Sequence, residues 1–320
     1  ALAVMLNNFN HEVTVWSAFD SEIEAIRHDG ENKQKLPGVK ISTAIKLTND
    51  ISSVSDADIV IFGVPTNFVR SVAEKIKPFI KPETVIVNTA KGLEDGTYTR
   101  MSQVLKEVLP DSPIVVLTGP SHAEEVAIGM PTTITVASED VKYADYIQSV
   151  MSNSLFRVYI NDDVIGCELG GSLKNVIALC AGICDGMGYG DNTKAALMTR
   201  GITEIARLGV ALGGKSETFA GLTGIGDLIV TCTSMHSRNR RAGILIGQGV
   251  SPDEAVKRVG TVEGYTCTRN AYALAKKIGV DMPITEQCYN VLYNGVNPRT
   301  ALSNLMERPK RHETESVWVK

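Results

Sequence analysis

The feature that most constrains the fold is a change in the hydrophobic pattern about half-way along the chain. The first half contains short apolar runs rich in β-branched residues, separated by stretches with helical spacing. Continuous apolar runs of this length are typical of strands buried on both faces, and helices between them indicate a parallel sheet. The pattern predicts strands within residues 11–16, 58–65, 84–88, 113–118, 132–137 and 155–160.

The second half has the spacing of helices only. After Asp163 apolar residues recur at steps of three and four, as in Leu173, Ile177, Ala181 and Cys184. We therefore expect an α/β domain over residues 1–162 and an all-α domain over residues 163–320. The basic, polar tail after Glu307 predicts a frayed terminus.

The α/β half has the order of a dinucleotide-binding, Rossmann-like unit without its beginning. An amphipathic segment over residues 1–8 precedes the strand at 13–16, which lies where a second strand is expected. The glycine clusters at 186–190 and 221–226 do not lie between a strand and a helix, so neither replaces a GxGxxG turn. We expect the first strand and this turn to precede Ala1, and a chain that starts at Ala1 to bind cofactor poorly.

Composition excludes several classes of protein. The 320 residues include 32 basic and 36 acidic side chains, a net charge of −4 that argues against a nucleic-acid-binding protein. The best apolar run, residues 176–183, is too short to span a membrane, and no secretory signal is evident, so we expect a cytoplasmic protein. The six cysteines form no CxxC pair, so we expect reduced core cysteines and no metal site.

Polar side chains follow two predicted strands at the edge where ligands bind. Lys91 follows the strand that ends at Asn88, and Gly119 and Ser121 follow the strand that ends at Thr118. Ligands of open α/β sheets bind at the carboxyl ends of the strands, which makes these residues candidates for a binding site. The alternatives are a solvated lysine and a simple Gly-Pro-Ser turn.

Two charged residues lie in apolar phrases of the helical half. Lys174 and Asn175 are expected to begin an apolar helix of about ten residues, and a buried lysine there needs a partner. Asp227, in the glycine-rich phrase 221–231, would serve as that partner. The alternatives are a lysine in a frayed first turn and an aspartate that caps a helix.

A basic cluster, residues 237–241 with the sequence Ser-Arg-Asn-Arg-Arg, is expected to open another helix. A helix N-terminus presents free N–H groups, and an arginine adds a bidentate fork, so this cluster is a candidate phosphate site. The alternative is a solvated basic face.

Six phrases in this order resemble the bacterial type of NAD(P)-dependent glycerol-3-phosphate dehydrogenase: NTAKG, GPSHA, GGSLKN, GDNTKAA, GLTGIGDL and SRNRR. The resemblance covers essentially the whole chain. It implies a dinucleotide-binding domain, a helical substrate domain and an active site between them. The implied reaction is the reversible reduction of dihydroxyacetone phosphate to sn-glycerol 3-phosphate, which supplies phospholipid synthesis.

The resemblance also implies roles for individual residues. Lys174 matches the proton donor and acceptor, and Lys91 and Asp227 complete the expected catalytic group. The expected substrate-binding residues are Lys91, Gly119, Ser121, Lys174, Asn175, Asp227, Thr231, Ser237, Arg238 and Asn239. The expected cofactor-binding residues are Trp16, Ser17, Lys91, Ala123, Arg238 and Glu263.

The sequence also indicates which cofactor and partners to expect. The end of the second strand reads Trp16-Ser17-Ala18-Phe19 and has no acidic residue to repel a 2′-phosphate, so NAD(P)H is expected, with a preference for NADPH. The expected partner is a small phosphorylated substrate, and a homodimer is the assembly considered. The alternatives are a 3-hydroxyacid or 6-phosphogluconate type of dehydrogenase, and an inactive dinucleotide-binding interaction protein.

Overall fold

The computed structural model describes residues 1–318. Its first half contains both strands and helices, as the pattern predicts. The strands are β1 (Thr14–Trp16), β2 (Glu31–Asn32), β3 (Leu36–Lys40), β4 (Lys46–Thr48), β5 (Ile59–Phe62), β6 (Val85–Asn88), β7 (Ile114–Thr118), β8 (Thr132–Ala137) and β9 (Phe156–Asn161). The helices are α1 (Leu2–Asn8), α2 (Asp20–Asp29), α3 (Thr66–Ile76), α4 (Met101–Val108), α5 (Ala123–Ala127) and α6 (Val141–Met151).

Strands β5 to β9 form one sheet in chain order, and β5, β6 and β7 are parallel. Alternate residues of β6 pack on opposite faces: Ile86 packs with α3 and α4, whereas Val85 and Val87 pack with α6 and the end of α1. Burial on both faces explains why β6 has a continuous apolar sequence. The Rossmann-like α/β domain predicted from the sequence is confirmed.

The prediction of an entirely parallel sheet is wrong at β8, which runs antiparallel to β7. The connection over residues 119–131 contains only the five-residue helix α5. That helix is about 7 Å long, whereas the five-residue strand β7 is about 16 Å long, so it cannot carry the chain back to the start of β7. The chain therefore turns and returns alongside β7.

Two small sheets lie outside the main sheet. Strand β1 pairs in parallel with β4, and β2 pairs with β3 in antiparallel fashion. Strands β2, β3 and β4 were not predicted, because segments of two to five residues with mixed polarity carry little pattern.

The second half of the described chain is helical. Its helices are α7 (Val164–Gly186), α8 (Asp191–Ala211), α9 (Ser216–Phe219), α10 (Asp227–Thr233), α11 (Arg238–Gly247), α12 (Pro252–Val259), α13 (Glu263–Ile278), α14 (Pro283–Tyr293) and α15 (Pro298–Met306). Helix α7 is the core around which most of the others pack. It is also the one helix within residues 1–318 that is long and apolar enough to cross a membrane, and 94% of its apolar window is buried inside the fold.

Helix α7 begins ten residues earlier than the sequence predicts, at Val164 rather than near Lys174. Gly170 and Gly171 lie inside the helix. A Cβ on Gly170 would come within 2.7 Å of the Thr223 carbonyl oxygen, and one on Gly171 within 2.5 Å of the Thr118 hydroxyl. The glycines allow close packing and do not end the helix.

The frayed terminus expected after Glu307 is wrong for the part of the tail that the structure describes. Glu315 pairs with Arg200 and Arg207 of α8, and the Trp318 indole N–H donates to the Thr203 hydroxyl at 3.3 Å. The expected core position of the cysteines is confirmed, since all six are buried.

Candidate active site

A single buried carboxylate joins the two predicted lysines. Lys91 Nζ donates to Asp227 Oδ2 at 2.7 Å, and Lys174 Nζ donates to Asp227 Oδ1. Lys174 also donates to Thr231 Oγ1 at 2.6 Å, and Lys91 donates to the Gly119 carbonyl oxygen at 3.0 Å. Asp227 is 1% exposed and Lys174 5% exposed. The partnership of Lys174 with Asp227 that the sequence predicts is therefore present.

Each member of this cluster comes from a different element. Lys91 follows β6, Gly119 follows β7, Lys174 lies in the third turn of α7, and Asp227 and Thr231 lie one turn apart in α10. Lys174 lies well inside α7, which excludes the alternative of a lysine in a frayed first turn. The Asp227 carboxylate binds the two lysines and does not cap α10, which excludes the alternative of a capping aspartate. The site thus lies at the carboxyl edge of the sheet, where the helical domain packs against it.

Burial lowers the pKa of Lys174 to about 8. Desolvation is the main cause, the positive charge of Lys91 lowers the pKa further, and Asp227 opposes both. Burial alone would raise the pKa of Asp227, but the two lysines hold it below its ordinary value. At neutral pH the cluster therefore contains an ionised carboxylate and a protonated lysine whose proton is easily lost.

A second hydrogen-bonded chain lies beside Lys174. The Gly264 backbone N–H donates to Asn239 Oδ1 at 2.8 Å, Asn239 Nδ2 donates to Asn175 Oδ1 at 2.9 Å, and Asn175 Nδ2 donates to Glu263 Oε2 at 3.0 Å. Both asparagines are buried. The chain fixes α7, α11 and α13 to one another and leaves each asparagine one N–H for a ligand.

Close packing of α7 on α11 brings the basic cluster to this place. A Cβ on Gly182 or Gly186 of α7 would overlap the backbone of Arg240 or Ile244, and one on Gly243 or Gly247 of α11 would overlap the backbone of α7. The two helices run in the same direction with their backbones in contact, so the N-terminus of α11 lies beside Asn175.

The first residues of α11 form a helix start of the kind expected. The Ser237 hydroxyl accepts from the Arg240 backbone N–H at 3.2 Å and is the N-cap. Arg238 is exposed, and within residues 1–318 its guanidinium has no hydrogen-bond or ion-pair partner. Arg240 instead binds Asp185 at 2.8 Å and is structural.

Of the remaining predicted residues, Ser121 lies next to the lysine cluster, whereas Trp16, Ser17 and Ala123 make no hydrogen bond to it in the described chain. Trp16 and Ser17 are at the end of β1, where the indole N–H donates to the Asn49 carbonyl oxygen and the Ser17 hydroxyl donates to Glu22 at 2.7 Å. Ala123 is the exposed first residue of α5. Ser121 donates to the Gly119 carbonyl oxygen at 3.1 Å, close to Lys91.

Two further features near the site, a buried carboxylate anchor and a histidine pair, are not among the residues predicted from the sequence. Glu168 of α7 binds Arg100 and Ser102 of the other domain. Its position could have been recognised from the sequence, because it is a charged residue in an apolar helix, as Lys174 is. His122 lies with its ring centroid 5.8 Å from that of His236. Burial lowers the pKa of His122, and the charge of Lys174 lowers it further.

Comparison with known proteins identifies the family. A family model for the NAD-dependent glycerol-3-phosphate dehydrogenase N-terminus matches residues 1–144, and the corresponding C-terminus model matches residues 163–303. The chain belongs to the glycerol-3-phosphate dehydrogenase family. It is thus an oxidoreductase that uses NAD or NADP.

Individual relatives agree with this family. A glycerol-3-phosphate dehydrogenase [NAD(P)+] of Moorella thermoacetica is 55% identical over 318 residues, which are 99% of this chain and 95% of the relative. One of Desulfitobacterium hafniense is 52% identical over 99% of this chain and 90% of its own. The crystal structure of a Coxiella burnetii glycerol-3-phosphate dehydrogenase has a TM-score of 0.92 at 37% identity, covering 96% of this chain and 95% of that one.

The carboxyl edge of the sheet fits a nicotinamide dinucleotide of the kind this family uses. Gly63, directly after β5, is exposed, and a Cβ there would meet no atom within 4 Å. The Thr118 hydroxyl at the end of β7 is buried without a hydrogen-bond partner in the described chain. The accessible backbone at Gly63 and the unpartnered Thr118 hydroxyl next to Lys91 suit a polar planar ligand at this edge of the sheet.

Proposed function

We propose that this enzyme reversibly reduces dihydroxyacetone phosphate to sn-glycerol 3-phosphate, with Lys174 as proton donor and acceptor. The observation that carries the proposal is the buried Lys174, hydrogen-bonded to Asp227 and Thr231. A ketone that becomes an alkoxide needs a proton and a nearby positive charge, and a protonated lysine supplies both. When bound, the nicotinamide cofactor supplies or accepts the hydride.

Asp227 and Thr231 orient the lysine in this proposal. They accept two of the three ammonium hydrogens, which leaves one for the substrate oxygen. Lys91 shares Asp227, and we assign it to substrate and cofactor binding together with Gly119 and Ser121. The Lys174 pKa of about 8 supports proton exchange in both directions near neutral pH.

The substrate phosphate is assigned to the start of α11. Arg238 supplies a guanidinium that has no partner in the described part of the chain, and the buried Ser237 and Asn239 flank it in sequence. Helix N-termini and arginine forks are favourable for phosphate dianions. Asn175 adds a remaining amide N–H between this end and Lys174.

A preference for NADPH is proposed from the end of β1. We assign the adenosine end of the cofactor to Trp16 and Ser17, and other parts to Ala123, Arg238 and Glu263. The carboxylate next to Ser17, Glu22, already binds Lys35 at 2.7 Å and Asn32 at 3.0 Å, so it is engaged and its charge is neutralised. This supports acceptance of a 2′-phosphate. Comparing kcat/KM for NADPH and NADH tests it, and a strong NADH preference overturns it.

The test of the proposed reaction is spectrophotometric. Purified enzyme with NADPH and dihydroxyacetone phosphate should oxidise the cofactor, and the product should be sn-glycerol 3-phosphate by enzymatic assay. Acetoacetate and other 3-oxo acids should give no comparable rate. Turnover of a 3-oxo acid in place of the phosphate ester would support the alternative dehydrogenase class, and no turnover at all would support the inactive protein.

We also propose a domain boundary, a cellular compartment and an oligomeric state for the enzyme. A division into domains at residues 162 and 163 is supported by the change from strands to helices at Asn161–Val164. The free cysteines support the cytoplasm, where the product would supply phospholipid synthesis. A homodimer is supported by exposed apolar side chains near edge strand β9, including Ile128, Met130 and Leu155; light scattering measures the mass.

A further inference from the structure

Lys91 lies in a loop, residues 89–100, that runs from β6 to α4 and is held by the helical domain at several points. Leu93 is buried in the core of that domain, and its carbonyl oxygen accepts from Asn270 Nδ2 at 3.3 Å. Asp95 pairs with Arg269 of α13 at 2.9 Å. The Lys91 loop therefore belongs to one domain by sequence and packs into the other.

The far end of the Lys91 loop is fixed by Glu168 of α7. The Glu168 carboxylate accepts from the Ser102 backbone N–H at 2.7 Å, from the Ser102 hydroxyl at 2.6 Å and from Arg100 Nη1 at 2.6 Å. The Glu168 side chain is 4% exposed and that of Arg100 14% exposed. A buried carboxylate with three short, charge-assisted bonds is a strong and directional anchor.

We propose that Glu168 is a positioning residue that sets where Lys91 meets Asp227. Glu168 lies six residues before Lys174 on the same helix, so one rigid element holds both the anchor of the Lys91 loop and the proton donor. The inference rests on the roles proposed above for Lys91 and Lys174. It adds a residue that contacts neither substrate nor cofactor.

Loss of the Glu168 anchor should change the pKa of Lys174, and this change distinguishes a positioning role of Glu168 from a purely stabilising one. The charged groups with the largest effect on the pKa of Lys174 are Asp227, Lys91 and Glu263, and His122 and Cys232 also interact with it. Lys91 lowers the pKa of Lys174. If the loop relaxes and Lys91 moves away, the pKa of Lys174 rises. Removal of the Glu168 charge alone would act in the opposite direction, so an upward shift reports displacement of Lys91.

The experiment compares Glu168→Gln with two reference variants. Lys91→Met shows the effect of removing the lysine. Glu204→Gln is the matched control: Glu204 is also a buried carboxylate that accepts backbone N–H bonds at a helix start, from Ile284 and Thr285, but it lies away from the Lys91 loop. Each variant is measured for kcat, KM for dihydroxyacetone phosphate, the pH profile and the thermal unfolding midpoint.

We expect Glu168→Gln to lower kcat/KM by ~10- to ~100-fold, as for a small misplacement of a site residue. The midpoint of its pH profile should move upward by ~0.5–1 unit, towards that of Lys91→Met. Glu204→Gln should keep the wild-type KM and midpoint whatever its stability. If Glu168→Gln does not fold, Ser102→Ala removes only the hydroxyl donor and should give a smaller shift in the same direction.

Three outcomes overturn this inference. A folded Glu168→Gln variant with a wild-type KM and a wild-type pH midpoint contradicts it. If Glu168→Gln is unfolded, a folded Ser102→Ala variant with an unchanged KM and an unchanged pH midpoint contradicts it. Equal effects of Glu168→Gln and Glu204→Gln would show that the role of Glu168 is merely structural. If Lys91→Met itself has a wild-type kcat/KM and pH midpoint, the role proposed for Lys91 fails. This result distinguishes a failure of the proposed function from a failure of the positioning role of Glu168.

Discussion

Lys91 and Lys174 come from different domains and donate to opposite oxygens of one carboxylate, that of Asp227. Neither lysine has a second carboxylate within hydrogen-bond distance in the described chain. The pair is held together by a single negative charge, so the cluster keeps a net positive charge. This is the electrostatic requirement for stabilising an oxygen that becomes negative during reduction of a ketone.

The first prediction concerns pH. In the proposed reaction, reduction requires protonated Lys174, whose pKa is about 8, so kcat/KM for dihydroxyacetone phosphate should fall as pH rises through about 8. Oxidation of glycerol 3-phosphate requires the neutral amine and should rise over the same interval. Initial rates in both directions between pH 6 and 10 measure this. Profiles that change in the same direction would contradict the assignment.

The second prediction concerns the phosphate. We assign the substrate phosphate to Arg238, whose guanidinium has no partner within residues 1–318, so Arg238→Ala should remove its charge-assisted bonds to the phosphate dianion, a loss of ~2–5 kcal/mol. That corresponds to about 30-fold to several-thousand-fold in kcat/KM for dihydroxyacetone phosphate. The already slow turnover of unphosphorylated dihydroxyacetone should hardly change. Because Arg238 is also assigned to the cofactor, equal losses on both substrates would remove it from the phosphate site.

The third prediction concerns the packing of α7 on α11. Gly182→Ala places a methyl group onto the Arg240 carbonyl, so the helices must separate, at a cost of about 1–3 kcal/mol in unfolding free energy. KM for dihydroxyacetone phosphate should rise, since the start of α11 moves. Gly190→Ala is the control, because a Cβ there meets no atom within 4 Å. Urea unfolding and kinetics of both variants give the comparison; equal behaviour would show the contact to be unimportant.

The fourth prediction concerns Glu204 and the stability of the helical domain. Burial raises its pKa to about 7, although backbone N–H groups of Ile284 and Thr285 oppose this. A carboxyl whose pKa is raised on folding stabilises the fold below its unfolded pKa and loses this contribution as pH rises through the folded pKa. The free energy of unfolding should therefore fall between about pH 4.5 and 7, by at most ~3 kcal/mol from this group. In Glu204→Gln this fall should be absent; an unchanged profile would exclude Glu204 as its source.

The sequence predicted the parts of the molecule that local pattern determines. Short, mainly apolar runs located all five strands of the main sheet, and burial on both faces accounts for the continuous apolar sequence of β6. Lys174 and Asp227 could be paired in advance because a charge in an apolar phrase needs an opposite charge. The ends of elements were less accurate: α7 begins at Val164, ten residues before the start predicted near Lys174.

Features that depend on residues distant in sequence could not be predicted. The Glu168 anchor joins segments 66 positions apart, and nothing near Ser102 indicates a partner in the other domain. The antiparallel β8 depends on the length of α5, whose five residues carry too little periodicity to be recognised. The contact of α7 with α11 depends on glycines that become informative only when the two helices are placed together.

The most direct test of the account is the turnover of Lys174→Ala at pH 7 with saturating NADPH and dihydroxyacetone phosphate. Removing the proton donor and the positive charge beside the alkoxide should lower kcat by at least ~10²–10⁴-fold. Cofactor affinity, measured by calorimetry on the same preparation, should stay close to that of the wild type. A near-native kcat in a folded Lys174→Ala protein would contradict the central claim that Lys174 is the proton donor.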